Sequence, residues 1–227
     1  MYGYKFEGVS IGMRVRTEEK REEIIRIAAE LFQENGFERT SMSMISERLG
    51  GSKATLYGYF KSKEQLLLAV VHQDVPEQSE RLATEFAEGK DLRDSLVKLG
   101  VAYLSRLMSP TPIANMRTLS NQPEGSGMGK AFWDNILQPA WQRLANRMED
   151  LMKAGELKRA DPWLAAMQWK GLNELDMFDR RLLGVITGPD SKEIEKAATT
   201  AADAFLTLYG AKAKTRKAPR KRSRERS

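Results

Sequence analysis

The chain has 227 residues, 41% of them hydrophobic and 8% aromatic, room for one large domain or two smaller ones and enough apolar material for a packed core. Its longest apolar runs, such as residues 66–71, fall far short of the roughly 18 residues a membrane span needs, and the absence of cysteine excludes a disulfide framework or a thiolate metal site. The net charge of +6 is local: residues 211–227 carry nine Lys/Arg and one Glu, so the remainder is about −2 and the tail alone makes the protein basic.

The opening MYGYKFEGVSIGM has neither a basic start nor a continuous apolar core, so no secretory signal is read and a cytoplasmic location is expected. Apolar periodicity is helical almost throughout, which predicts an all-α protein of about nine helices. After an N-terminal extension over residues 1–16, Thr17 is expected to cap the first helix, with Glu18, Glu19, Glu22 and Glu23 near its positive end and Ile24, Ile27, Ala28, Leu31 and Phe32 on its buried side. Asn35-Gly36 stops it. A short helix from Thr40 or Ser41 follows and ends at Gly50-Gly51; Ser52 caps a third over residues 53–59, and Ser62 with Gln65 opens a fourth. These elements make a predicted domain over residues 17–75. Longer amphipathic helices are then predicted at 76–88, 91–108, 112–120, 130–154, 162–185 and 191–209, forming a second domain over 76–210, with a kink expected at Pro139. The tail, 211–227, has too few apolar side chains to offset its ordering entropy and is expected to be disordered, an arm for polyanions.

Residues 40–60, TSMSMISERLGGSKATLYGYF, read as two short helices joined by a glycine-containing turn, the helix-turn-helix arrangement in which the second helix enters the DNA major groove. Ser52, Lys53 and Thr55 are polar groups in the first turn of that second helix, where backbone N–H groups also face an anion. Tyr57 and Tyr59 end in hydroxyls able to reach phosphate, and Lys63 begins the next helix. Between residues 39 and 63 five basic residues (Arg39, Arg48, Lys53, Lys61, Lys63) face one acid, Glu47.

The stretch AAELFQENGFERTSMSMISERLGGSKATLYGYFKSKEQLLLAV resembles the DNA-binding domain of TetR-type bacterial transcriptional regulators, with the run SK-TLY-YF-SKE-LL carrying most of the specificity. The resemblance covers roughly residues 18–75. It implies that Thr40 and Ser41 contact backbone phosphate, that Ser52, Lys53 and Thr55 face the groove, and that Tyr57, Tyr59 and Lys63 contact phosphate, while Leu56 and Phe60 belong to the core. Four positions depart from the family pattern: Leu49 where a small residue is common, Gly51 where valine is common, Ser46 where alanine is usual, and Gly58 where a larger side chain is usual. Leu49 and Gly51 are expected to exchange volume, and Gly58 costs up to about 1 kcal/mol of helix stability relative to alanine. Base contacts are therefore expected ahead of it.

Further on, DPWLAAMQWKGL…DRRLLG with an Ala-rich last helix resembles the end of the AefR-like subset, whose last two helices pair with their copies in a second subunit. Independently, Leu164, Met167, Gly171, Leu172, Leu175, Phe178 and Leu182 form one stripe at helical spacing, and Ile194, Ala197, Ala198, Ala201, Ala204, Phe205 and Leu208 another. The expected dimer interface draws on Leu164, Met167, Gly171, Leu175, Phe178, Ala197, Ala201 and Phe205. The resemblance also implies a ligand cavity in this domain, for which Tyr103, Met108, Met116, Phe132, Trp133, Trp141, Met148 and Trp169 are the aromatic and Met candidates, although such residues equally build cores.

Catalysis and metal binding find no support. His72 is the only histidine, so no His pair exists and a Ser-His-Asp set would have to be built on it. GSGMGK at residues 125–130 lacks the spacing of a phosphate loop. Asp176 with Asp179, and Glu149 with Asp150, lie on helices rich in Arg and Lys and read as solvated or ion-paired faces. The expectation is a homodimeric regulator, most simply a repressor, that binds a palindromic duplex operator and releases it on binding a small apolar or amphipathic effector, without a cofactor, metal or membrane. The alternative is a sequence-neutral nucleic-acid-binding protein driven by the tail.

Overall fold

The structure, a computed structural model, describes residues 8–73, 86 and 89–211; the tail from residue 212 and nearly all of the expected 76–88 helix lie outside the described residues. Within them the chain is helical, its sole extended pairing an antiparallel bridge between Leu157 and Gly210. No helix there is long and apolar enough to cross a membrane.

α1 (Gly8–Asn35) starts nine residues ahead of the Thr17 cap that the sequence suggests. No proline or Asn-Gly interrupts residues 8–17, so the helix runs through, and residue 17 is not an element boundary. It ends as expected before Gly36, whose φ of +79° suits glycine. α2 (Met42–Leu49) is capped by Ser41, whose Oγ accepts from the Met44 N–H. α3 (Lys53–Tyr59) is capped by Ser52 through the Thr55 N–H, and α4 (Lys63–Gln73) opens with the Gln65 N–H on Ser62 Oγ while Gln65 Oε1 accepts from the Lys61 N–H. Ile24, Ile45, Leu56, Phe60 and Leu66 close this unit's core. Each such side chain, removed from water, contributes about 1.5–3 kcal/mol.

In the C-terminal domain, Asp91 accepts from the Asp94 N–H to cap α5 (Leu92–Leu107), and Asp94 in turn accepts from the Lys90 N–H. α6 (Pro110–Ser120) starts two residues earlier than predicted because Pro110, with its fixed φ and no N–H to satisfy, suits the first helical turn. The single helix expected over 130–154 is three pieces: α7 (Met128–Phe132), a π-helical turn over Trp133–Leu137, and α8 (Gln138–Ala154). Pro139 is the cause. It has no N–H for the carbonyl four residues back and its ring crowds that carbonyl, and the widened turn, closed by the Gln138 N–H on the Trp133 carbonyl, relieves both.

The helix expected over 162–185 also divides, into α9 (Pro162–Glu174) and α10 (Met177–Leu182), at Leu175 with φ +43° and ψ −128°. No proline or glycine marks that break. Tertiary hydrogen bonds hold it: buried Arg181 donates to the Met108 carbonyl (3.0 Å), and Arg117 donates to the carbonyls of Leu182 (2.8 Å) and Arg181 (3.1 Å). α11 (Ser191–Tyr209) covers the predicted span and is capped by Asp190. α5, α9 and α11 meet at Gly100, where a Cβ would lie 2.5 Å from Asn173 Oδ1 and 2.9 Å from the Ala198 Cβ. The two domains are joined by a small cluster in which Phe37 and Leu67 pack with Met128 of α7.

Candidate nucleic-acid interface

α2, the turn and α3 are fixed by local chemistry before any contact with a partner is considered. Gly50 takes φ +66°, and its N–H reaches the carbonyls of Glu47 and Ser46; a side-chain-bearing residue would be strained there. Ser46, buried, donates from Oγ to the Gly51 carbonyl at 3.0 Å and so ties the turn down. A Cβ on Gly51 would meet Leu49 Cδ2 at 3.6 Å, an ordinary van der Waals contact, so Leu49 does not by itself exclude a side chain at this position. Gly58 is helical with open space where a Cβ would go, and α3 continues through it to Tyr59.

This scaffold leaves Ser52, Lys53, Ala54, Thr55, Tyr57 and Gly58 exposed along α3, while Leu56 and Phe60 point into the core. Ser52 Oγ and Thr55 Oγ1 lie 2.9 Å apart, which orients both hydroxyls at the N-terminal end. Ala54 belongs to this face, although a reading of polar side chains alone passes over it; its i+3 and i+4 spacing to Tyr57 and Gly58 is the signal that finds it.

The five cations counted from sequence differ in what they are free to do. Arg39 donates from Nε to the Asn35 carbonyl (2.8 Å), and Lys61 Nζ to the Tyr57 carbonyl (3.0 Å). Arg48 pairs with Glu34 at 3.1 Å, and that hydrogen bond and charge raise its already high pKa. Lys63 lies 4.2 Å over the Phe37 ring and donates to the carbonyls of Phe37 (2.7 Å) and Glu38 (3.3 Å), so it closes the end of α1 as well as carrying charge. Lys53 alone of the five makes no hydrogen bond or ion pair within the described residues.

Two expected phosphate contacts are placed differently from expectation. Thr40 is 1% exposed, and its hydroxyl donates to the carbonyls of Leu31 (3.1 Å) and Gly36 (2.8 Å). It locks the α1–α2 corner and offers no outward hydroxyl, whereas Ser41 stays exposed. Tyr59 is half-buried against the core, unlike Tyr57 at 43% exposure.

The proposed ligand residues do not form one constellation. Tyr103, Trp141 and Trp169 are together, both tryptophan rings with centroids 5.5 Å from that of Tyr103. Met108 packs in the adjoining cluster and Met148 in the same core. Trp133 is 43% exposed on the π turn, Phe132 is buried beside it, and Met116 is half-buried on α6, so these three stand apart from the aromatic group. The Tyr103 hydroxyl donates to Glu174, which also pairs with Lys170 at 2.6 Å. Burial first, and then the Glu174 carboxylate, hold that hydroxyl well above the usual tyrosine range. Trp169 Nε1 is buried and has no hydrogen-bond partner among the described residues. No cluster of three or more potential metal ligands occurs among the described residues.

The dimer stripes need correction. Ala197, Ala201 and Phe205 are 9%, 1% and 0% exposed within a single subunit. Small side chains let α11 sit tightly against α5, so this stripe is spent on the subunit's own core. Along α9 and the break that follows it, Leu164 and Leu175 are 50% and 57% exposed and Gly171 is exposed between them, while Met167 of α9 and Phe178 of α10 are half-buried against the core.

Residues 24–70 match the family profile of bacterial regulatory proteins of the tetR family, and residues 94–211 match that of the AefR-like transcriptional repressor C-terminal domain. An HTH-type transcriptional regulator of Staphylococcus aureus is 36% identical over 95 residues, 40% of this chain; the match spans 49% of that relative's own length. Among solved structures, a protein assigned to the TetR family from Mesorhizobium loti superposes with a TM-score of 0.76 at 26% identity, covering 86% of this chain and 99% of that one. The flavonoid-responsive regulator FrrA superposes with a TM-score of 0.67 at 28% identity over 86% of this chain and all of that one (100%).

Proposed function

Because the chain belongs to the TetR family of bacterial transcriptional regulators, with an AefR-like C-terminal domain, we propose that it is a homodimeric repressor that binds a palindromic operator and leaves it when a small effector enters the C-terminal domain. The observation that carries the DNA reading is the exposed face of α3, where Lys53 is uncommitted while the neighbouring cations are engaged in holding the scaffold. A long flexible cation beside oriented hydroxyls suits the guanine edge and phosphates of a major groove. Tyr57 supplies a phosphate contact, Tyr59 and Lys63 weaker ones at the rim, and Ser41 another from the cap of α2.

The effector reading rests on Tyr103, Trp141 and Trp169. Their rings offer flat apolar surface, and the Trp169 N–H, buried without an acceptor, is the kind of group a ligand oxygen satisfies. The similarity to a flavonoid-responsive regulator favours a flat aromatic molecule bearing carbonyl or hydroxyl oxygens. Such a molecule lowers operator affinity only by binding better to the subunit arrangement that cannot span two half-sites, about 34–36 Å apart or a small multiple of that.

Selection of bound duplexes from a random pool tests the DNA reading. The expected result is a palindrome whose consensus changes in Lys53→Ala and persists, at lower affinity, in Tyr57→Phe. A preference-free pool, or a consensus indifferent to Lys53→Ala, would remove α3 from the interface.

A further inference from the structure

Beside the Leu67–Met128 junction, with Leu68 of α4 bordering both, a cleft of about 640 Å³ opens between the two domains. That volume lies within the roughly 300–1,000 Å³ of small-molecule sites. One wall is the DNA-binding domain, with Arg21 and Glu22 of α1, Tyr59 and Phe60 at the end of α3, and His72 of α4. The other is the C-terminal domain, with Ala131, Asn135 and Ile136. None of Tyr103, Trp141 and Trp169 lines it. Asn135 and Ile136 lie in the π turn that Pro139 imposes, and π turns recur where a helix must present side chains off its regular register.

We propose that this cleft is a second small-molecule site, one that takes a carboxylic acid with an apolar, preferably aromatic, body. The apolar floor is Ile25, Phe60 and Ile136, all at most 5% exposed. Above it the Arg21 guanidinium sits 5.5 Å over the Phe60 ring and makes no ion pair within the described residues. A guanidinium steadied on an aromatic face and open at its forked edge matches a carboxylate in charge and geometry. The Tyr59 hydroxyl and the His72 ring, with no hydrogen-bond partners within the described residues, add donors. Asn135 spends its Nδ2 on the Ala131 carbonyl at 2.8 Å and keeps Oδ1 as an acceptor. Glu22, the one acid in the wall, disfavours a second carboxylate on the ligand and accepts from a ligand hydroxyl. An occupant touches both the last residue of α3 and the C-terminal domain, and so ties the position of the reading helix to its own binding.

The test is calorimetric titration of the full chain with 3-phenylpropionate, with 3-phenylpropionamide as the uncharged control and no DNA present, so that the outcome is independent of operator recognition. Saturable binding of the acid is expected, with the amide about tenfold weaker or worse, since the lost charge-assisted pair is worth at least that factor. Arg21→Gln should lose a similar factor and Arg21→Lys recover part of it. Ala131→Trp, which fills the cleft, should abolish binding, whereas Tyr103→Phe should leave it unchanged. Arg21 is exposed, so the Gln and Lys variants keep the test informative even where Ala131→Trp does not fold. No saturable binding, equal binding of acid and amide, full affinity in Arg21→Gln, or loss in Tyr103→Phe would each overturn the proposal.

Discussion

The Thr40 hydroxyl illustrates how a side chain next to a protein's working face can serve the scaffold instead. It donates to two carbonyls in the corner between α1 and α2, and Thr40→Val keeps the shape while removing the donor. The Leu31 carbonyl keeps the Asn35 Nδ2 donor and Gly36 is exposed, so the loss is expected near the ordinary value of one hydrogen bond, about 1 kcal/mol, seen as a lower urea midpoint, with operator affinity unchanged at temperatures where the variant is fully folded. Ser41→Ala, exposed, should show the opposite pattern: a cap loss of about 1 kcal/mol together with weaker binding at every site. Gly58 offers a gain. It is helical and its Cβ direction is open, so Gly58→Ala should stabilise the N-terminal domain by up to about 1 kcal/mol; a thermal midpoint that fails to rise would mean that the α3 backbone is not helical at that point in solution.

Among the elements, capped and punctuated helices were legible: α2, α3 and α11 match their predicted spans because Ser41, Ser52 and Asp190 cap them and Gly50 ends α2. The exposed side of α3 was legible for the same reason, since burying Leu56, with Phe60 just past the helix end, turns Lys53, Thr55 and Tyr57 outward, while the half-buried place of Tyr59 was not. Four other things were not legible. The early start of α1 had no residue to announce it, and the break at Leu175 is made by Arg117 and Arg181 reaching from elsewhere in the fold. The stripe Ala197, Ala201 and Phe205 signals close helix packing, but periodicity does not say whether the neighbour is in the same chain. Pro139 signalled a disturbance without its form. Here Pro139→Ala should restore the missing N–H and let residues 133–137 return to α register; a change in Trp133 fluorescence with higher thermal stability is expected, and an unchanged spectrum would detach the π turn from the proline. Tyr103 adds a pH prediction for the packing of α5 on α9. Its folded pKa is raised, so its contribution is fully present below the ordinary tyrosine value near 10 and is lost as pH climbs toward the folded value. The stability gap between the native protein and Tyr103→Phe, measured by urea unfolding from pH 8 to 11, should therefore shrink above about pH 10.

For the whole molecule, the distribution of exposed leucines separates two kinds of charge insertion. Leu164→Arg or Leu175→Arg should give a folded monomer by ultracentrifugation, because each side chain is half outside its own subunit. Ala201→Arg should unfold the C-terminal domain instead, since it puts a charge into a site 1% exposed. Monomers from Ala201→Arg with intact helicity would contradict the burial described. The meeting of α5, α9 and α11 at Gly100 has a mechanical meaning. Without a Cβ at Gly100, α5 comes close enough for Asn173 and Ala198 to occupy the place of a side chain. Its 16 residues span about 24 Å, and it is also held on both sides of that point, by Leu96 and Leu99, by Leu104, and by the Arg93–Asp203 pair. A side chain introduced at residue 100 would therefore act as a wedge, which the helix could escape only by giving up contacts along its whole length.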